Sequence, residues 1–353
     1  KEGFEALDAD TCVYTHRDPD GNIICIIVLH VDGMLVVADN ETADQVIKKM
    51  KAKYPMTESP ARWFLKMKID YAKDGNLVTI SQPDYAAEIV KAADMVGCNP
   101  VSTPMEKLLT AGDDIPVTAE ERRIMEEADY GGVVGMLGHL SRMTRPDLAQ
   151  AVGQAQRFAS APRLHHWQAV KRMVKYVAGT ENYGLRFVKD GHSQVVGYSD
   201  SDWASDLDDR KSTSGYVFLY KGAAISHKSK KQPGVTARSS GEAELIALDQ
   251  ADREALWLGK LCKGLDVDIG EAGMVIFEDN EACYNIAKGS RWSNETKHVD
   301  VKYFAVRDDV KDKKVNVKRI GTADNVADAF TKPLPRVKFE EFREKMGVVP
   351  LDV

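Results

Sequence analysis

Val195-Val196-Gly197-Tyr198-Ser199-Asp200-Ser201-Asp202-Trp203-Ala204 decides how this chain is read. It is an apolar strand that stops on acids instead of running out into a neutral turn. Strand side chains alternate, so Val196, Tyr198 and Asp200 share one face. A carboxylate at the mouth of a buried strand is costly unless something cationic meets it. A metal ion answers that need, and partner acids are then expected further along the chain.

They are there. Residues 215–220 and 223–227 read as a hairpin, and Ser239 or Ser240 can cap a long helix running to Gly264. Leu248, Ala251, Ala255, Leu258 and Cys262 recur at helical spacing on that segment, and Glu244 falls on the same inward stripe. Metal ligation or a helix-dipole contact explains an inward acid there. Residues 274–277 form a fourth strand ending on Glu278 and Asp279, followed by a helix over 280–288. Residues 291–298 are a polar loop and 298–311 a helix. Residues 315–320 make a fifth strand, and a short helix over 323–331 carries Asp328 before Pro333 and Pro335 end the fold. Lone acids mean little among 54, but acids on this schedule can hold two divalent cations for in-line phosphoryl displacement. Oxygen-only donors favour magnesium. The pattern points to metal-assisted phosphodiester hydrolysis.

The chain's 353 residues give room for about two domains. Its net charge of -6 does not advertise nucleic-acid binding, so any such surface has to be local. Residues 210–238 carry seven Lys or Arg and no acid. Residues 163–189 carry six against the single acid Glu181, with Lys171, Arg172 and Lys175 on one helix. Each is either a solvated face or a phosphate-tracking surface. The five cysteines are scattered with no metal-ligand spacing, as reduced thiols of a cytosolic or nuclear compartment would be. The longest apolar run, residues 23–29, is too short to cross a bilayer. The absence of an initial methionine suggests a fragment or cleavage product.

In the first half, residues 23–29 and 34–38 form a hairpin with its tip at Asp32-Gly33. A helix follows over 42–54, then strands over 63–71 and 77–81, and a helix between Pro83 and Gly97. Residues 99–118, with three prolines, are a surface connection. Helices are expected over 130–143, 147–159 and 165–178, the last burying Trp167, Val170, Val174 and Val177.

The motifs resemble a known family. Residues 197–204, Asp209-Arg210-Lys211-Ser212-Thr213-Ser214-Gly215-Tyr216 and Ser239-Ser240-Gly241-Glu242-Ala243-Glu244 resemble the ribonuclease H domain of copia-type LTR retrotransposon Pol polyproteins. Glu278-Asp279-Asn280, Thr296-Lys297-His298-Val299-Asp300, Ala327-Asp328 and Thr331-Lys332-Pro333-Leu334 continue the match in order. Upstream, Val31-Asp32 resembles the end of a reverse transcriptase palm, Trp63-Phe64-Leu65 the primer-grip hairpin, Val101-Ser102-Thr103-Pro104-Met105 the thumb, and Thr144-Arg145-Pro146-Asp147 with His166-Trp167 the connection.

The resemblance implies an α/β chain: an RNase H-like mixed five-stranded sheet with flanking helices, preceded by a partial palm, thumb and connection, largely helical with β-hairpins. The expected divisions are 1–72 (palm and primer grip), 73–190 (thumb and connection), 191–335 (RNase H) and a tail at 336–353. It implies Asp200, Glu244, Asp279 and Asp328 as catalytic metal ligands, Asp200 ranking above Asp202. Two Mg²⁺ ions, replaceable by Mn²⁺, would sit between them. Asp200 and Asp279 would be shared, Glu244 would lie near the 2′-hydroxyl, and Asp328 would serve the second ion. Arg210, Lys211, Lys228, Lys230, Lys231, Ser240, Asn280, Lys297 and His298 would contact substrate. Partners would be an RNA–DNA hybrid and the rest of the Pol polyprotein, with no membrane, in a cytoplasmic virus-like particle or the nucleus.

Two departures matter. His30-Val31-Asp32-Gly33 stands where the family carries Tyr-Val-Asp-Asp, so the polymerase site is degenerate at Gly33 and DNA synthesis is not expected, leaving Asp32 structural. No histidine follows the fifth strand in Ile320-Gly321-Thr322-Ala323. The expected activity is hydrolysis of the RNA strand of hybrids; the alternative is a non-catalytic hybrid-binding remnant. An integrase or transposase takes its glutamate from a later helix, which Glu244 does not fit.

Overall fold

The computed structural model describes residues 3–112, 117–234, 237–289 and 305–351. In chain order, β1 (Phe4–Ala6), β2 (Val13–Arg17), β3 (Ile23–His30) and β4 (Gly33–Ala38) form an antiparallel meander, covered by α1 (Asn40–Lys51). The β3–β4 register pairs His30 with Gly33. The tip is therefore Val31-Asp32, one residue earlier than expected, with Val31 at φ 55°. Asp32 is exposed at that tip.

Next come β5 (Trp63–Phe64), β6 (Met67–Tyr71) and β7 (Leu77–Ser81), then α2 (Pro83–Ala92), α3 (Ala119–Glu127) and α4 (Tyr130–Met143). A 3₁₀ turn at Pro146–Leu148 leads into α5 (Ala149–Gln156), where one longer helix was expected. After α6 (Leu164–Ala178), β8 (Tyr183–Val188) pairs with β7. The helices α2, α4, α5 and α6 share one apolar core, which includes Ile89, Leu137, Val170 and Val174.

Under that core lies a buried ion pair. Arg145 Nε and Nη2 donate to the two Asp147 carboxylate oxygens at 3.0 and 2.8 Å. Its remaining donors reach Thr180 O at 2.9 Å and Thr180 Oγ1 at 2.8 Å. The Tyr176 hydroxyl donates to Asp147 at 2.6 Å. Two buried charges are tolerable only with this degree of hydrogen bonding.

The second half builds β9 (Val196–Asp202), β10 (Thr213–Tyr220), β11 (Ala223–Lys231), α7 (Ser240–Gly264), β12 (Met274–Glu278), α8 (Glu281–Ala287), α9 (Ala305–Lys311) and β13 (Val315–Arg319). The sheet order is β11-β10-β9-β12-β13. The pairs β9–β10 and β10–β11 are antiparallel, while β9–β12 and β12–β13 are parallel. This is the mixed five-stranded sheet with flanking helices that the motifs imply. One face packs on α7 through Leu245, Leu248, Phe218 and Ile276.

The other face departs most from the sequence-based expectation. Instead of one helix over 323–331 there are two 3₁₀ turns, Thr322–Asp324 and Val326–Phe330, because Asn325 breaks the run and caps the second by accepting from Ala327 N. The chain does not end at the prolines. The expected tail forms α10 (Arg336–Lys345), anchored by buried Phe339 and Phe342, and β14 (Val348–Pro350). Strand β14 pairs with β8, completing a second five-stranded sheet, β14-β8-β7-β6-β5. Among the described residues, no helix is long and apolar enough to cross a membrane.

Candidate metal centre

The parallel pairing of β9 and β12 sets Phe277 opposite Tyr198, so both strands finish at the same end of the sheet. Asp279 thereby arrives level with Asp200. Helix α7 starts at that end: the Ser239 hydroxyl caps it by accepting from Glu242 N at 3.2 Å, and Glu242 accepts back from Arg238 N at 2.7 Å. One turn later, Glu244 points down its buried stripe toward the strand ends. Ligand oxygens of Asp200, Glu244 and Asp279 all lie within 4.8 Å of one another. The first two carboxylates are buried, at 3% and 7% exposure.

Asp328 stands beside this trio. Its 3₁₀ turn packs across β9 and β10, where Gly215 leaves room: a Cβ there would lie 2.7 Å from Phe330 Cβ and 3.1 Å from Ala327 O. The Thr331 hydroxyl donates to Asp200 Oδ2, and the Lys332 ammonium lies 3.0 Å from Asp328 Oδ1.

The electrostatics are those of an undercompensated acid cluster. Burial, then the Asp328 charge, pushes the Asp200 carboxyl up to about 7. Burial, then Glu278 and Asp200, pushes Glu244 far above the carboxylate range. Lys332 is raised although burial works against it, because Asp200 and Asp328 outweigh that cost. Glu244 Oε2 is buried with no hydrogen-bond partner. Three converging carboxylates, mutually repelling and with an orphaned oxygen, fit a hard divalent cation better than any protein donor in reach. Oxygen donors alone exclude the sulfur and imidazole sets of structural zinc.

Asp202 is half-buried and outside the trio. Of the expected substrate contacts, Lys228 and Lys230 are exposed on β11, the edge strand. Lys231 instead bridges Asp206 and Asp209, both at 2.7 Å. Lys211 lies 3.5 Å from Asp209, and exposed Arg210 sits in a left-handed backbone conformation at φ 58°. Ser240 opens α7 but leaves the capping to Ser239. Asn280 caps α8, accepting from Cys283 N at 3.0 Å. Lys297 and His298 lie outside the described residues. Thr331 and Lys332 were legible as part of a motif, but nothing in the spacing assigned them to Asp200 and Asp328.

A family model described as reverse transcriptase (RNA-dependent DNA polymerase) matches residues 1–107. The retrovirus-related Pol polyprotein from transposon TNT 1-94 of Nicotiana tabacum is 36% identical over 345 residues, covering 96% of this chain and 26% of the polyprotein. That from transposon RE2 of Arabidopsis thaliana is 31% identical over 354 residues, covering 98% and 23%. The chain thus spans about a quarter of the length of the curated relatives it matches. Among solved structures, LC11-RNase H1 in complex with RNA/DNA hybrid aligns over 39% of this chain and 94% of its own, at 17% identity and a TM-score of 0.29.

Proposed function

The chain belongs to the copia-type, retrovirus-related Pol polyproteins of transposons, and we propose that it hydrolyses the RNA strand of RNA–DNA hybrids with two divalent cations, Mg²⁺ or Mn²⁺. The convergence of Asp200, Glu244 and Asp279, with Asp328 alongside, carries this reading. Asp200, Glu244 and Asp279 would hold one ion, and Asp200 and Asp328 would serve the other. Ions bound there supply activation of water and neutralisation of charge on the leaving oxygen.

The protein's own part is to hold and orient. The Thr331 hydroxyl fixes the Asp200 carboxylate, and the Asp328–Lys332 pair keeps that side of the site from splaying before substrate arrives. Exposed Lys228 and Lys230 face the solvent side of the edge strand, where a polyanion can reach them. Contacts to 2′-hydroxyls would supply preference for hybrid over DNA duplex.

The test is cleavage of an end-labelled hybrid by the 353-residue chain with and without Mg²⁺. Asp279→Asn should abolish Mg²⁺-dependent cutting while leaving the circular dichroism spectrum unchanged. A variant that cuts at the parent rate removes the site assignment. A parent that binds hybrid without cutting supports the binding-remnant reading instead.

A further inference from the structure

The backbone ladder between β9 and β12 ends at Phe277 opposite Tyr198, before either strand reaches its acid. The turn carrying Asp328 is not a strand at all. Backbone pairing sets Asp279 level with Asp200 but stops short of both, and the carboxylates' mutual repulsion works to separate them. Thr331 and Lys332 tie down only the Asp200–Asp328 side, so the spacing of all three needs a further link.

We propose that Asn325, Ser199 and Glu278, all buried, and half-buried Asn280 form one hydrogen-bonded rail that positions Asp328, Asp200 and Asp279 for the cations. Asn325 Nδ2 donates to Ser199 O at 2.8 Å. Ser199 Oγ donates to Glu278 Oε2 at 2.8 Å, and Asn280 N donates to Glu278 Oε1 at 3.0 Å. Asn325, Ser199 and Glu278 are each 0% exposed. Every rail residue is tied to a ligand. Ser199 precedes Asp200, Glu278 and Asn280 flank Asp279, and Asn325 O accepts from Asp328 N at 3.2 Å.

Each end of the rail is also pinned. Asn280 Oδ1 accepts from the first turn of α8, and Asn325 Oδ1 accepts from Ala327 N at 3.2 Å. A fully satisfied buried polar chain is rigid, whereas a half-satisfied one is costly. Ser199, Glu278 and Asn325 are sealed from solvent and act through the ligands beside them, so they are positioning residues. Partners behind metal ligands typically alter affinity about 10- to 100-fold.

The inference rests on the reading of the acids as cation ligands, and Mn²⁺ binding measured by paramagnetic resonance on the full chain, without nucleic acid, separates the two. Ser199→Ala and Asn325→Ala change no charge. Each should weaken Mn²⁺ binding about 10- to 100-fold. The double variant should bind more weakly than either single one, because Asn325→Ala frees Asp328 from the Ser199 carbonyl while Ser199→Ala frees Asp200 from Glu278. Leu258→Ala, buried far along α7, should melt lower yet bind Mn²⁺ within about twofold of the parent. If Ser199→Ala does not fold, Asn325→Ala alone decides. Folded variants that bind as the parent does overturn the rail and leave the ligand assignment standing. A parent that binds no Mn²⁺ overturns both.

Discussion

Replacing Asp200 with asparagine should stabilise the protein in the absence of divalent cations. The Asp200 carboxyl ordinarily titrates at 3.8 and is pushed to about 7 by burial and then by Asp328. That difference of about 3 units corresponds, at about 1.4 kcal/mol each, to a ceiling of about 4 kcal/mol. The sign follows from linkage. A carboxyl whose folded value is raised contributes its full stability below 3.8, and loses it as pH rises through about 7. Asparagine cannot ionise, and its Oδ1 still accepts from Thr331. Parent and variant should therefore have similar stability near pH 4, and the variant should be more stable near pH 8 by up to about 4 kcal/mol. Urea unfolding in chelator, followed by tryptophan fluorescence, reads the difference, in which titrating groups remote from Asp200 cancel, while Glu244, Glu278 and Lys332, which feel its charge, contribute through it. Saturating Mg²⁺ should restore the parent, by about 2.7 kcal/mol at one hundred times the dissociation constant, and leave the variant unmoved. A parent–variant difference that stays flat from pH 4 to 8 would refute the claim that Asp200 carries an undercompensated buried charge.

Two further outcomes follow from the packing. Arg145→Met leaves Asp147 buried without its bidentate partner and should cost about 3–5 kcal/mol in urea titration, while Arg145→Met with Asp147→Leu should recover most of that. A single-variant cost below about 1 kcal/mol would mean the pair is not sealed from water. Gly215→Ala drives a methyl against Phe330 Cβ at 2.7 Å and Thr331 Cγ2 at 2.8 Å, lifting the turn that orients Asp200 and Asp328. Overpacking should cost roughly 1–3 kcal/mol, and hybrid cleavage should fall at least about tenfold; unchanged turnover at a lowered melting temperature would dissociate that turn from the chemistry.

What could be read from the chain and what could not divide on physical grounds. Helix α7 was legible because its buried residues repeat at 3.6 spacing behind a pair of serines either of which could cap it, and β9 because its apolar run ends on acids. Helix α3, of sequence AEERRIMEE, offered only Ile124 and Met125 as large apolar residues; its one buried residue is Glu121, whose carboxylate meets Arg163 Nε at 2.8 Å. That pairing, together with Leu164 N, holds Glu121 down at about 2. Helix α10 was missed because its two phenylalanines sit among charges, and β14 because its partner β8 lies far back in sequence. At the site, the acids declared themselves by position. Ser199 and Asn325 did not, since an uncharged polar residue reads the same in a buried rail as in an exposed turn.

The same distinction bears on where the RNase H-like unit begins and ends. Its sheet has two faces, and among the described residues only the α7 face is closed wholly by residues between 191 and 335. The opposite face joins Val217, Leu219 and Phe330 to Leu185 from before β9 and to Phe342, Met346 and Val348 from after the prolines. Arg343 on α10 reaches the Tyr176 hydroxyl at 3.2 Å, linking the C-terminal helix to the Arg145–Asp147 pair. The turn with Asp328 and Thr331 lies between the sheet and this cluster, so its position depends on α10 and β14 as much as on β9. The residues after Pro335, which look dispensable as a charged terminus, therefore form the wall against which one side of the candidate metal centre is held.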